Sequence, residues 1–417
     1  MTAHATFNPN YLSDQAIVQA LADGEHAPVL QAYFGAALYA ELCVLAQQAQ
    51  NTRTDKHAPL VYLLPGLLGS KLGTRTAKGM EILWLDPLQL ITGKLTQLAI
   101  GKRRSIRPLG MMLPAYLKLT LALQAAGFRV RCHAYDWRRS IVDLGKQLAE
   151  ELLHEPTREV MLVAHSMGGL VARAALKHAA SAKVTRVIQL GAPNQGSFAM
   201  TQVFRACYPT VRKLGAVDQL HDAEQLTQQL FRSFYSFYEM LPTATLSNIN
   251  LLRAQYWPQD ALQLPTQRFT YARRLPRYLA AADQRCHVIA GIARRTVCAV
   301  QQVNHEFVFT YNQEGDGTVP LQSAHWPGAQ HWYVPEAHGQ LPLNSLVNHA
   351  IVDLLRHATT SCLPNRYAPS STATETCTEQ ELRRCLQGKV RWDQLPMNER
   401  RELLEPVISP IFAQHCA

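Results

Sequence analysis

The stretch of sequence that decides the fold is VAHSMGG, at residues 163–169. It begins where an apolar run, EVMLVA, ends, and it leads into residues of helical character. A serine at so tight a strand-to-helix turn requires small residues two positions away on each side, and Ala164 and Gly168 meet that requirement. Such a turn exposes the Ser166 hydroxyl at the edge of a sheet, beside the unpaired N–H groups of a helix N-terminus. We therefore predict that Ser166 is a nucleophile.

Short apolar runs of the same kind recur along the chain. They lie at residues 59–64, 128–134, 159–164, 184–190, 286–292 and 331–334. Helical patterns separate most of them, at residues 113–126, 141–153, 168–180 and 341–357. Continuous apolar runs are typical of parallel strands buried on both faces, and their alternation with helices predicts a mostly parallel, doubly wound α/β sheet. Together with the serine turn, this pattern predicts the α/β-hydrolase fold.

The remaining segments are arranged around this predicted sheet. Between residues 198 and 284 the alternation stops, and helix formers with several aromatic residues predict a helical cap over the carboxyl edge of the strands. We predict an N-terminal helical extension at 1–54, an α/β-hydrolase domain at 55–362 with the cap inserted at 198–284, and a linker with a helical tail at 363–417.

Helices are predicted in both terminal regions. The apolar stretch at 29–46 is at the short limit of the ~20 residues that a membrane span requires, and it holds a glutamine, a glycine and a glutamate, so we predict a buried amphipathic helix. In the tail, Thr378 and Glu381 have the spacing of a capping box, which predicts a helix from Thr378 that ends at Gly388. Another helix is predicted to begin near Asn398.

A serine nucleophile needs a carboxylate as well as a base. A histidine must take the serine proton, and a carboxylate must orient that histidine. In this fold the acid lies between the serine and the histidine in chain order. Asp316 fits that order, in the glycine-flanked turn EGDGTVP. We predict Asp316 as the acid, with Asp283 in the cap as the weaker alternative.

The predicted base is His338, in the sequence PEAHG. It follows the last apolar run and precedes a predicted helix, which is where this fold places its histidine. His331 stands before the run and His349 inside the helix, so both fit the position less well. His165, beside the serine, is predicted to pack against or line the site rather than to accept the proton.

Backbone N–H groups are the predicted donors to the oxyanion that forms when a serine attacks an ester. Met167, next to the nucleophile, supplies one of them. The second is assigned to Leu67, because LPGLLGS follows the first apolar run, where this fold takes its second donor. The sequence shows no metal-ligand spacing, phosphate loop or dinucleotide fingerprint, so we expect no metal and no cofactor.

Charge and cysteine content bear on partners and compartment. The net charge of +10 favours acidic surfaces such as anionic membranes. Basic clusters such as residues 273–277 match no nucleic-acid-binding module, so we expect no nucleic-acid partner. Nine cysteines without a paired pattern predict reduced thiols, and the N-terminal residues lack a signal-peptide pattern. The expectation is a cytoplasmic protein with peripheral membrane binding, with export without a signal peptide as the alternative.

Six strings in the sequence resemble one family in order and spacing. They are PGLLGSKL at Pro65, WLDP at Trp84, AYDWR at Ala134, AHSMGG at Ala164, LGAPNQGS at Leu190 and GDGTVP at Gly315. The family is that of lecithin:cholesterol acyltransferase, which includes phospholipid:diacylglycerol acyltransferases and lysosomal phospholipases. The resemblance covers about residues 59–355. AYDWR and GDGTVP together are fairly specific, whereas AHSMGG occurs in many lipases and esterases.

The resemblance implies Ser166, Asp316 and His338 as the triad, with Leu67 and Met167 as the oxyanion donors. These are the residues that the motifs themselves predict. The resemblance also implies that residues 68–100 lie near the mouth of the site and contribute to lipid access. Trp84 lies in that segment, so we predict substrate contacts for Trp84 and His165.

Three functions are compatible with the sequence. The first is hydrolysis or transfer of an acyl chain from a lipid ester through an acyl-serine, of phospholipase, lipase or O-acyltransferase type. The second is hydrolysis of a small ester, thioester or amide, for which a smaller or less apolar cap is expected. The third is a non-catalytic binding protein of the same fold, since fold alone does not prove function.

Overall fold

The structure is a computed structural model, and it describes most of the chain. The described residues are 9, 11–53, 55–76, 79–102, 105–368, 373–384, 388–395 and 399. The helix predicted near Asn398 lies outside them, as does the end of the helix predicted to finish at Gly388.

The described residues contain a long series of strands, which we number in chain order. They are β1 (Leu60–Leu64), β2 (Ser70–Thr76), β3 (Gly79–Trp84), β4 (Arg107–Met111), β5 (Arg129–Cys132), β6 (Val160–His165), β7 (Val184–Leu190), β8 (Cys286–Gly291), β9 (Thr296–Val303), β10 (Glu306–Asn312), β11 (Gln330–Val334) and β12 (Glu375–Thr378).

The central sheet has six strands in the order β11-β8-β7-β6-β1-β5, and all of its pairings are parallel. These are the six strands that the apolar runs predict. Strand β6 lies inside the sheet, between β1 and β7, and Leu64 at the end of β1 is level with Ala164 at the end of β6. The carboxyl ends of these two strands therefore meet at one edge, next to Ser166.

The α-helices are likewise numbered in chain order. They are α1 (Asp14–Asp23), α2 (Ala27–Phe34), α3 (Ala36–Asn51), α4 (Pro87–Ile91), α5 (Leu113–Ala125), α6 (Ile141–His154), α7 (Met167–Ala175), α8 (Phe198–Phe204), α9 (Pro209–Val217), α10 (Ala223–Gln229), α11 (Tyr235–Glu239), α12 (Thr266–Ala272), α13 (Leu321–Ala324), α14 (Ser345–His357) and α15 (Glu379–Arg384).

Two predicted helices differ from the observed ones in their bounds. The helix predicted over 168–180 ends at Ala175 and is followed by a short 3-10 helix, Ala179–Lys183. The helix predicted from residue 341 begins only at Ser345, because Pro342 lies in a preceding 3-10 helix and Asn344 caps the α-helix through its side chain.

Helix α7 is fixed closely against the neighbouring helix α6. A Cβ atom added to Gly145 of α6 would lie 2.3 Å from the Cβ of Ala174 on α7, so the two backbones approach as closely as a glycine permits. Ser140 caps α6 by accepting a hydrogen bond from the N–H of Val142. Ala174 lies near the carboxyl end of α7, so this packing fixes the direction in which the helix leaves Ser166.

The cap, residues 198–284, consists of short helices between β7 and β8, α8 to α12 with 3-10 turns between them. Its aromatic residues pack on one another. The rings of Phe234 and Phe237 are in edge-to-face contact with their centroids 5.1 Å apart, and the ring centroids of Phe204 and Tyr238 are 4.5 Å apart. Glu239 joins the cap to the sheet domain, because its carboxylate accepts hydrogen bonds from Ser140 Oγ and from the N–H of Ile141 at the start of α6.

The N-terminal extension folds as the three helices α1 to α3. They share an apolar cluster with Leu113, Leu117 and Leu121 of α5. The apolar stretch at 29–46 is divided between α2 and α3, which are bent by 116° at Gly35. In the described part of the chain, no single helix has the length and apolarity to cross a membrane, although this bent pair meets both criteria taken together.

Two small antiparallel sheets were not anticipated. One has the order β3-β2-β4 and the other β12-β10-β9. Strands β2 and β4 hold glycine, lysine, arginine and proline, so neither forms an apolar run. Strand β10 reads EFVFTYN and buries every second residue, a period of two that predicts a half-buried strand and that could have identified it.

The tail is more than a linker and helices, which corrects the predicted organisation of 363–417. Residues Glu375–Thr378 form β12 and pair with β10, and the capping box of Thr378 and Glu381 is present at the start of α15. Buried Glu379 then accepts hydrogen bonds from Arg205, the residue directly after α8, at 2.6 Å, from Arg383 and from the N–H of Phe307. The tail is thus anchored to the cap by a buried ion pair.

Replacing Glu379 by glutamine should destabilise the fold strongly. Removing one partner of a buried ion pair costs about 3–5 kcal/mol when the remaining charge is left without compensation. Arg205 keeps a second carboxylate partner, Asp260. We therefore expect a loss at the lower end, about 3 kcal/mol, in the free energy of unfolding measured by urea denaturation. Glu375→Gln is the matched control. Glu375 lies in the same tail and also pairs with an arginine, Arg295, but the Glu375 side chain is 58% exposed. Its loss should stay within about 1 kcal/mol; equal losses in the two variants would contradict the anchoring role.

Candidate active site

Ser166 lies in a strained turn between β6 and α7. Its backbone has φ 53° and ψ −126°, a region that residues other than glycine rarely adopt. The turn is closely packed: a Cβ added to Gly168 would lie 2.6 Å from the carbonyl oxygen of Pro65, and one added to Gly66 would lie 2.8 Å from the Cβ of Ser166. The small residues that the sequence places here are therefore required by contact with the loop after β1.

The structure brings together the three side chains predicted as a triad. The Nε2 atom of His338 is 2.8 Å from the Oγ of Ser166, and its Nδ1 atom is 2.7 Å from Oδ2 of Asp316. Ser166 is 7% exposed, and the other two residues are less exposed still. This is the geometry in which a histidine takes a serine proton while a carboxylate orients it. The catalytic roles themselves stay a prediction.

Asp316 is held in place by its own turn. Its Oδ1 accepts hydrogen bonds from the N–H groups of Thr318 at 3.0 Å and Val319 at 2.7 Å, which leaves Oδ2 for the histidine. Its backbone carbonyl accepts a hydrogen bond from the N–H of His338. The acid and the base are thus joined through both side chain and backbone.

The alternative candidates for the acid and the base lie elsewhere. Asp283 binds Arg285, and hydrogen bonds from that guanidinium lower the pKa of Asp283. His331 stacks on the His325 ring at 4.6 Å, and burial lowers its pKa to about 4. His349 is exposed on α14. In the structure, His338 contacts the serine and Asp316 contacts His338.

The two predicted oxyanion donors come from opposite sides of Ser166. Met167 is the first residue of α7, where backbone N–H groups have no acceptor inside the helix. Leu67 belongs to the loop at residues 65–69, which we call the oxyanion loop. Its neighbours are fixed by side chains: Tyr135 donates to the carbonyl of Pro65, and the N–H of Gly66 donates to the Tyr116 hydroxyl at 2.7 Å.

Trp84 does not contact the site, which corrects its prediction as a substrate-binding residue. It is 1% exposed, its Nε1–H donates to the carbonyl of Leu68 at 2.8 Å, and its ring packs edge-to-face on Trp137. Its apolar surroundings predicted a lipid contact, but those neighbours bury it in the core. Among the described residues of 68–100, only Leu68 lines the cavity described below, and Trp84 supports the backbone of Leu68 from the core side.

His165 lines the site, but it also makes two hydrogen bonds inside the protein. Its Nδ1 is 2.8 Å from the Tyr116 hydroxyl, and its Nε2 is 3.0 Å from the backbone carbonyl of His338. Burial, and next the nearby His338, lower the pKa of His165 well below its usual value. Its ring is therefore neutral, and it is not placed to take the serine proton.

A cavity lined predominantly by apolar side chains adjoins Ser166 and His338. The cap supplies a large part of its wall, with apolar side chains from α8, α9 and α11 and from the 3-10 turn at Phe231–Ser233. Cap residues that line it include Met200, Val203, Val211, Leu214, Phe231 and Phe237. The sequence predicted an apolar cap with several aromatic residues, of which Phe231 and Phe237 line the cavity; the other four residues were not anticipated. Nor did it reveal Tyr116, which stands in an ordinary helical pattern in α5.

Fold and site together define a protein of the α/β-hydrolase fold with a Ser-His-Asp arrangement at the carboxyl edge of its sheet. Residues 114–289 match the family model for lecithin:cholesterol acyltransferase, so the resemblance to that family is confirmed. This match includes Ser166 and the whole of the cap. No curated protein sequence is significantly similar to the chain.

Several solved structures are similar to this one at low identity. The Bacillus licheniformis lipase BlEst2 in propeptide form is 16% identical, with a TM-score of 0.40 over 76% of this chain and 54% of that chain. Its mature form is 16% identical, with a TM-score of 0.38 over 74% of this chain and 95% of that chain. Carboxylesterase CesB from Bacillus subtilis is 12% identical, with a TM-score of 0.34 over 78% of this chain and 99% of that chain. The chain thus spans about half the length of the propeptide form.

Covalent labelling tests the three side chains of the site. An alkyl fluorophosphonate should attach to Ser166, as located by peptide mass spectrometry, and Ser166→Ala should not be labelled. Asp316→Asn should label roughly 10³–10⁴-fold more slowly, because the amide no longer holds the histidine in its accepting tautomer. Asp283→Asn is the control and should label at the wild-type rate. Wild-type labelling of Asp316→Asn would refute the assignment of the acid.

Proposed function

We propose that the protein is a serine-dependent acyl hydrolase or acyltransferase that acts on lipid esters through an acyl-serine at Ser166. The observation that carries this proposal is the apolar cavity that opens directly onto the serine and histidine. A polar or shallow cavity would suit small substrates instead. The side chains that line this cavity are predominantly apolar, so burying the acyl chain of a lipid ester against them is favourable.

In the first half-reaction, Ser166 Oγ attacks the ester carbonyl carbon while His338 Nε2 takes the serine proton. The Asp316 carboxylate stabilises the resulting imidazolium, and the N–H groups of Leu67 and Met167 bind the oxyanion. The carbonyl reforms, the bond to the alcohol breaks, and His338 returns the proton to the leaving oxygen. The products are a free alcohol and an acyl-serine.

In the second half-reaction, water or another alcohol attacks the acyl-serine, and His338 takes the proton of the attacking oxygen. Collapse of the intermediate returns that proton to Ser166 and releases a fatty acid or a new ester. Hydrolysis and transfer use the same residues and differ in the acceptor. The family match is compatible with both.

Chain-length dependence separates lipid esters from small esters. Each buried methylene contributes about 0.8 kcal/mol, so kcat/KM should rise with acyl length until the cavity is filled. Leu214→Trp would fill part of the cavity and should lower kcat/KM for long-chain esters while leaving acetyl esters unaffected. Leu220→Trp, at a position that is 67% exposed, is the control. A flat dependence on chain length would favour the small-ester function.

The product identifies the acceptor. The protein is incubated with mixed vesicles of phospholipid, diacylglycerol and sterol, and the lipid products are measured by mass spectrometry beside Ser166→Ala. Serine-dependent lysophospholipid with free fatty acid would identify a phospholipase, and a new neutral ester would identify an acyltransferase. No lipid product in either case would overturn the proposal of a lipid ester.

We also infer that the protein binds anionic membranes through one face of the cap. The basic cap face consists of Tyr271, Arg273, Arg274, Arg277 and Tyr278, all exposed. Residues 261–282 include four arginines and no acidic residue. Arginine with exposed tyrosine suits the boundary between water and lipid, where the cation meets phosphate and the ring lies at headgroup depth. Tyr271 contacts Tyr235 of α11, whose neighbour Phe237 lines the cavity.

Sedimentation with phosphatidylserine vesicles tests this face. Binding should weaken as salt is raised from about 0.05 to 0.5 M, because surface charges are screened. Arg274→Gln/Arg277→Gln should bind more weakly, at roughly 1 kcal/mol per arginine removed. Lys146→Gln/Lys177→Gln removes the same charge from another exposed surface and should bind like the wild type. Equal loss in the two double variants would contradict a specific docking face.

A further inference from the structure

A chain of hydrogen bonds runs behind Ser166 and connects the two halves of the site. The N–H of Gly66 lies 2.7 Å from the Tyr116 hydroxyl, and that hydroxyl lies 2.8 Å from Nδ1 of His165. The Nε2 of His165 lies 3.0 Å from the backbone carbonyl oxygen of His338. All four residues are buried, so water does not compete for these bonds. The triad mechanism uses none of them directly.

The direction of every bond in this chain is fixed by chemistry. A backbone carbonyl oxygen only accepts hydrogen bonds. The Nε2 atom of His165 therefore carries a hydrogen and donates a hydrogen bond to the backbone carbonyl of His338. The neutral ring then has an unprotonated Nδ1, which accepts from the Tyr116 hydroxyl. That hydroxyl oxygen in turn accepts from the N–H of Gly66. One arrangement satisfies all the donors and acceptors, and it requires His165 to be neutral.

The environment keeps His165 in that neutral form. Burial lowers its pKa well below the usual value, and the adjacent His338 lowers it further. The rings of these two histidines are 4.9 Å apart. A charged His165 at that distance would oppose the positive charge that His338 acquires when it takes the serine proton. The neutral tautomer avoids that repulsion while it still holds the His338 backbone.

The two ends of the chain lie in the two parts of the site that must act together. Gly66 directly precedes Leu67, the predicted oxyanion donor, and His338 is the base. The space around Gly66 is filled, since an added Cβ would lie 3.1 Å from Nδ1 of His165. The oxyanion loop is therefore positioned through Tyr116 and His165 relative to the same residue that takes the proton.

We propose that Tyr116 and His165 are positioning residues that fix the oxyanion loop and His338 relative to each other. They act through Gly66 and through the His338 backbone, and they do not touch the reacting atoms in this role. This inference rests on the proposed acyl-serine function. It assigns a task to two residues whose side chains the chemical steps leave unused.

Tyr116→Phe is the central test. It keeps the ring in α5 but leaves the N–H of Gly66 and Nδ1 of His165 without their shared partner. We expect kcat to fall roughly 10- to 100-fold, as for small displacements of a reacting group, while KM for a lipid ester changes less than about twofold. Tyr62→Phe is the matched control, because it also removes a buried tyrosine hydroxyl, one that contacts Arg131 and Glu155 away from the site. Its kcat should equal that of the wild type.

Ligand binding separates positioning from general loss of structure. Ser166 Oγ adds to the carbonyl carbon of an alkyl trifluoromethyl ketone while the serine proton moves to His338. The carbonyl oxygen becomes an oxyanion, which is stabilised by hydrogen bonds from the N–H groups of the oxyanion donors. The alkanol of the same chain length binds the cavity without forming an oxyanion. Tyr116→Phe should weaken ketone binding by the same factor as kcat/KM and leave alkanol binding unchanged. Parallel loss of both ligands would indicate a structural defect and overturn the inference.

Substitution of His165 provides a rescue. Glutamine can accept a hydrogen bond from Tyr116 and donate one to the carbonyl of His338, whereas leucine can do neither. We expect His165→Gln to retain at least tenfold more kcat than His165→Leu; equal activities would contradict the inference. Fluorophosphonate labelling keeps the two proposals apart. No labelling of wild-type Ser166 would overturn the acyl-serine function, whereas wild-type labelling rates in Tyr116→Phe would overturn only the positioning role.

Discussion

The structure of the site depends on one strained backbone turn, at Ser166. A positive φ at a serine costs about 1–3 kcal/mol, and it persists only where the surroundings impose it. Here the strand before it is held between two others in the sheet, and the helix after it is packed on α6 through Gly145. The contact of Gly168 with the Pro65 carbonyl then sets the distance to the oxyanion loop. The position of the hydroxyl thus follows from close packing on three sides.

Around this turn, the sheet and the cap supply different parts of the site. The sheet edge provides polar groups in fixed positions, and Asp316 receives backbone hydrogen bonds that hold it toward His338. The cap provides apolar wall from short helices that a buried ion pair at Arg205 joins to the chain's tail. The polar groups around Ser166 and the apolar wall of the cavity therefore come from different parts of the chain. Changes in α9 would alter the cavity without moving the serine.

The central sheet and the meeting of three polar side chains at its edge were predictable because each has a local signature. The six parallel strands are continuous apolar runs, and Ser166, Asp316 and His338 follow strand ends in a fixed order. Trp84 was misassigned because an apolar neighbourhood is the same in sequence whether it faces a lipid or the core. Tyr116 was missed since its partners, Gly66 and His165, are about 50 residues away in each direction, at separations of 50 and 49. Contacts of that kind leave no local pattern.

The ion pair between Arg205 and Glu379 also has a consequence for biosynthesis. The two residues are 174 positions apart, so a ribosome completes the sheet and the whole cap well before the glutamate that anchors the cap has been made. Until then, a buried arginine lacks one of its two carboxylate partners, and the cap that lines the cavity lacks its anchor to the tail. The cavity is therefore completed only after the tail has been translated, and a nascent chain that carries an intact serine turn does not yet carry the finished site.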